Sequence, residues 1–80
     1  MNAMERIILA DEIKRNTCHA DIDVTDKYVS MTYLHNKKTL EVKLESERVL
    51  CSTKDGSVDQ LNYTLGWKDQ LIDIIKGFME

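Results

Sequence analysis

Cys18-His19-x-Asp21-x-Asp23 gathers a thiol, an imidazole and two carboxylates in one short stretch. These side chains ligate zinc or iron, and a metal centre needs them to converge on one point, with Zn–S near 2.3 Å. The spacing argues against convergence. There is no CxxC and no HxxxH, and the one further cysteine, Cys51, is remote. Asp21-x-Asp23-x-x-Asp26 starts like a calcium loop but lacks its glycine and distal glutamate. Because the aspartates alternate with Ile22 and Val24, they read better as a solvated strand face whose charges discourage edge pairing. Cys18, His19 and Asp21 are therefore the weakest of the candidate sites.

Nucleophilic chemistry finds less support. Cys51 follows Val49-Leu50, where a thiol behaves as a small hydrophobe, and His19 and His35 are the only histidines that could serve it as a base. Ser30, Ser46, Ser52 and Ser57 have no nucleophile-elbow context. Gly56, Gly66 and Gly77 stand alone, so no phosphate loop forms, and the carboxylates are scattered. The chain reads as no enzyme and as needing no cofactor.

Binding chemistry remains. His35-Asn36-Lys37-Lys38 is a basic turn, and Lys27 with Tyr28 extends the set, since lysines interleaved with aromatics hold single-stranded nucleic acid by phosphate contact and stacking. Against this, 14 acidic residues outnumber 11 basic ones, giving a net charge of −3, whereas nucleic-acid binders usually carry a basic surplus. A nucleic-acid accessory role through Lys27, His35, Lys37 and Lys38 is the alternative. The leading reading is a protein surface. Tyr28, Ser30, Thr32 and Leu34 form the second face of a strand whose first face, Val29, Met31 and Tyr33, belongs to the core.

The elements that position these groups follow from periodicity. Residues 4–15 favour helix, with Leu9 and Ile13 on one stripe and Met4 and Ile8 on another, so one side asks for a cover that a single sheet cannot provide. Met1 to Ala3 read as a disordered start before the second methionine. From residue 20 the period is two: 20–25, 28–34, 39–45 and 47–53 read as strands, joined by short turns that make them antiparallel. Residues 58–63 admit two readings. They could be a fifth strand after the Asp55-Gly56 turn, or a helix opened by a Ser57-x-x-Gln60 capping box; Thr64 and Gly66 favour a break before Trp67, and with it an irregular or strand-like stretch. Trp67–Met79 is a strongly amphipathic helix. The expected fold is α+β: one two-layer domain over residues 4–80, an antiparallel meander of four or five strands flanked by an N-terminal and a C-terminal helix.

That order resembles frataxin-like proteins in topology, with Glu5, Asp11 and Glu12 standing where their acidic first helix lies; no residue role is carried over. With 80 residues, 42% hydrophobic and 31% charged, the chain is globular in balance and small in core. No apolar run is long enough for a signal core or a membrane span. The expectation is a small cytosolic adaptor or modulator, of a size compatible with phage or mobile-element proteins, that binds another protein. It is expected to pair as a homodimer through Met4 and Ile8 or an edge strand.

Overall fold

In the computed structural model, residues 2–18, 20–54, 56 and 58–80 are described. Helix α1 spans Ala3–Asn16 and starts earlier than periodicity places it. Asn2 is the reason: its side chain accepts the Glu5 N–H at 2.8 Å, satisfying a donor that has no partner inside the helix. The C-terminal end is closed by side chains too. Asn16 Nδ2 donates to the Glu12 carbonyl and Thr17 Oγ1 to that of Ile13, both at 2.8 Å.

Five strands follow: β1 Asp21–Val24, β2 Tyr28–His35, β3 Lys38–Glu45, β4 Arg48–Thr53 and β5 Val58–Asn62. They form one sheet in sequence order, antiparallel throughout. The open choice at residues 58–63 resolves as strand, with Val49 opposite Leu61. Gly56 takes φ +95° in the preceding turn, a conformation glycine adopts without steric cost. Ser57, the cap of the helical reading, lies outside the described residues, and so do Met1, His19 and Asp55. The β2–β3 hairpin turns on Asn36 and Lys37, both at positive φ (51° and 64°). This is the type I′ pattern, in which glycine is the usual second residue. A lysine there costs backbone energy.

Helix α2, Trp67–Met79, shares one face of the sheet with α1. The core is the row Val29, Met31, Tyr33, Leu40, Val42, Leu44, Val49 and Cys51, roofed by Ala10, Ile13, Leu71 and Ile75. Tyr33 is fully buried, and its hydroxyl shares a 2.9 Å hydrogen bond with Thr17 Oγ1. Arg6, one turn above Ala10 on the inner stripe, is also buried and donates to the Asp26 carbonyl at 3.4 Å. Lys68 Nζ reaches Glu12 Oε1 at 3.4 Å, joining the two helices.

One strand departs from the expected half-burial. Ile22 and Val24 point to the helix side, opposite Met31 and Val29, yet both are exposed. The cause is width. Five strands spaced ~4.8 Å apart span ~24 Å with their margins, whereas two helices at ~10 Å each cover ~20 Å. With α1 over β2 and α2 toward β5, the edge strand β1 is left without a roof.

Candidate functional site

The uncovered edge creates a surface shared by two elements. Along the outer side of α1 lie Met4, Ile7 and Ile8, respectively 66%, 40% and 58% exposed; beside them on β1 lie Ile22 and Val24, 38% and 51% exposed. Ile7, Ile8 and Ile22 line one groove, rimmed by Asp11, Glu12 and Arg15. Asp11 and Arg15 pair along the helix. Of this strip, Met4 and Ile8 are readable from sequence. Ile7, Ile22 and Val24 join them only because the helix layer is narrower than the sheet.

The other face of the sheet carries no helix. It presents Tyr28, Thr32 and Leu34, while Ser30 is buried between its cross-strand neighbours Asp23 and Lys43. Tyr28 and Leu34 stand toward opposite ends of β2 with polar residues between them. Lys43 Nζ lies 5.0 Å from the centre of the Tyr28 ring and 3.4 Å from Glu41 Oε1. This face is mostly polar, with Leu34 and Val58 exposed on different strands of it, whereas on the α1–β1 side Ile7, Ile8 and Ile22 line one groove. Among the described residues the remaining large exposed apolar side chain is Leu65, between β5 and α2.

The lysines divide. Lys37 and Lys38 sit at the β2–β3 turn, but Lys27 is at the other end of the eight-residue strand β2, about 25 Å away at ~3.3 Å per residue. Lys27 lines a cleft with Arg6, Arg48, Asp26, Glu45 and Glu47 instead, where the charges balance. The position that joins Lys37 and Lys38 is Lys54, set beside them by the register that pairs Leu40 with Thr53. His35 stays nearby, its ring centre 6.4 Å from that of Phe78 in an edge-on arrangement.

Among the described residues no three His, Cys, Asp or Glu side chains stand close enough to hold a metal. Of Cys18, His19 and Asp21, His19 lies outside those residues. Both cysteines are free thiols.

No family model, curated protein or solved structure matches this chain. The frataxin-like order of elements is a likeness of topology alone. None of the described helices is long and apolar enough to cross a membrane.

Burial raises three acids of the fold above their ordinary values, the Tyr33 phenol among them, and two of the three give it a strong pH signature. Burial pushes the Cys51 thiol from about 9 up to about 11, and the Asp59 carboxylate adds to the effect. Burial also lifts the Tyr63 phenol from about 10 to about 12, with Glu45 adding and Arg6 opposing. Both groups hold their protons more firmly when folded. Their contribution is therefore complete below about pH 9 and is lost as pH climbs through 11 and 12. Urea unfolding between pH 7 and pH 12 should show a plateau up to about pH 9 and a decline beyond it. Cys51→Val combined with Tyr63→Phe should make the decline shallower, leaving the part that Tyr33 contributes; an unchanged alkaline limb would refute the assignment.

Proposed function

We propose that this chain is a small non-catalytic interaction module that docks through the α1–β1 strip, and that its partner there is a second copy of the chain. The supporting observation is the strip of Met4, Ile7, Ile8, Ile22 and Val24, which the chain's own helices leave uncovered. These side chains expose on the order of 400–500 Å² of mostly apolar surface, a size at which a monomer's largest patch is often functional. Doubled across a two-fold axis and taken with its polar rim, the strip reaches about 1,200 Å², the lower bound of a stable interface.

Charge favours self-pairing by helices over self-pairing by strands. Helix α1 carries Glu5 in its first turn and Lys14 and Arg15 in its last. Two copies crossing antiparallel bring Glu5 of each beside Lys14 and Arg15 of the other, with opposed helix dipoles. A two-fold pairing of β1 edges would set Asp21 opposite Asp23 of the second copy, and like charges at such sites repel. The β5 edge carries Asp59 on the helix side, opposite Cys51, an inward charge of the kind that blocks edge addition. As a cytosolic adaptor or modulator, such a dimer would present two open sheet faces to other proteins.

A charge swap tests the reading, with mass in solution as the readout. Glu5→Lys should shift particles toward one chain by setting cations against cations, and adding Lys14→Glu and Arg15→Glu should restore the pair. A mass indifferent to both changes would remove α1 from the interface.

A further inference from the structure

At the end of the sheet opposite Lys27, three elements close on a cavity of about 290 Å³. The β2–β3 turn contributes Lys37 and Lys38, the end of β4 contributes Thr53 with Lys54 just beyond it, and the last turn of α2 contributes Phe78. Among the described residues its lining carries no carboxylate, and none of the three ammonium groups forms an ion pair; Asp55, next to Lys54 in sequence, lies outside the described set. In a chain of net charge −3 this is a local reversal of sign. Lys37 holds its place at φ +64°, where glycine would relieve the backbone. The cavity thus has cations at its rim and an aromatic ring in its wall.

We infer that this cavity is a binding site for a nucleotide unit, its phosphate held by Lys37, Lys38 and Lys54 and its base lying against Phe78. Lysines bind phosphate as point charges, and several ammonium groups around one anion suit the double charge of a phosphomonoester. A planar ring gives Phe78 a stacking partner, and base–aromatic stacking tolerates any base. The volume is at the lower limit of small-ligand pockets and admits one nucleotide. The same chemistry is met in a free nucleotide and in one unit of a single strand. The site shares no residue with the docking strip.

Titration of the isotope-labelled protein, followed by amide chemical shifts, tests it. The probes are adenosine monophosphate, adenosine, inorganic phosphate and a ten-nucleotide oligodeoxyadenylate. Adenosine monophosphate at about 1 mM should move the amides of residues 37–39, 53–54 and 78, while adenosine and phosphate alone should move them far less. Lys38→Glu and Lys54→Glu, both at exposed positions, should each weaken binding about tenfold or more. Lys27→Glu at the far end, and Ile8→Asp on the docking strip, should leave it unchanged. If the oligonucleotide binds more tightly, with affinity falling about tenfold between 50 and 200 mM salt, the ligand is a strand; if it does not, the ligand is the free nucleotide. Absence of shifts at these residues with both the monophosphate and the oligonucleotide, undiminished binding in the two glutamate variants, or phosphate binding as tightly as the monophosphate would overturn the assignment.

Discussion

Replacing Ile8 with aspartate is expected to weaken self-association at least about a hundredfold while leaving the fold intact. Ile8 is 58% exposed within one chain, so the monomer loses little packing. The change in helix propensity is a few tenths of a kcal/mol, and the added acid near Asp11 and Glu12 costs about as much again. In the pair the balance differs. Each interface isoleucine contributes about 1.5–3 kcal/mol on burial, two-fold symmetry counts it twice, and an incoming carboxylate must be desolvated. A loss of about 3 kcal/mol or more corresponds to a hundredfold or greater change in dissociation constant. Circular dichroism should retain the helix and strand signals, and sedimentation should show single chains where the wild type shows pairs. An unchanged mass would exclude the strip as the contact.

Leu44→Ala should act in the opposite manner, on the fold itself. Leu44 is fully buried at the centre of the sheet, with Val29 opposite on β2 and Val49 opposite on β4. Truncating a buried leucine costs about 2–5 kcal/mol, because the cavity collapses only in part. A domain of this size holds about 4–12 kcal/mol in all. At roughly 4–8 °C per kcal/mol, the melting temperature should fall by about 10 °C or more. Leu34→Ala on the open face, where the side chain is exposed, should change stability by less than about 0.5 kcal/mol. Equal effects at the two leucines would contradict the assignment of faces.

How much of this was legible in the sequence depends on the range of the interactions involved. Strict alternation at Leu40, Val42 and Leu44 gives β3 its core face, and the apolar half of α2 gives the roof; both are local patterns. The start of α1 is local as well, but it depends on Asn2 acting as a cap, which hydrophobic period does not register. Residues 58–63 carry a turn signal and a capping-box signal together. The tertiary option prevails because β4 offers a free edge, and β5 has only five residues with which to satisfy its backbone.

The site was legible in part, for a different reason. Met4 and Ile8 form a stripe on α1 that points away from Ala10 and Ile13, so their exposure follows from the helix alone. Ile22 and Val24 have the pattern of a buried strand face; what exposes them is the width of the helix layer, which no window of residues contains. Lys54 reaches Lys37 and Lys38 through the β3–β4 register, and the length of β2 carries Lys27 away from them. Both facts follow from strand pairing and neither from composition.

If a second copy covers the surface that α1 and β1 present, sedimentation equilibrium of the wild-type chain, from micromolar to hundreds of micromolar, will show it. The predicted mass rises with concentration toward twice the 9.3 kDa of one chain. A mass of one chain across the whole range would contradict it.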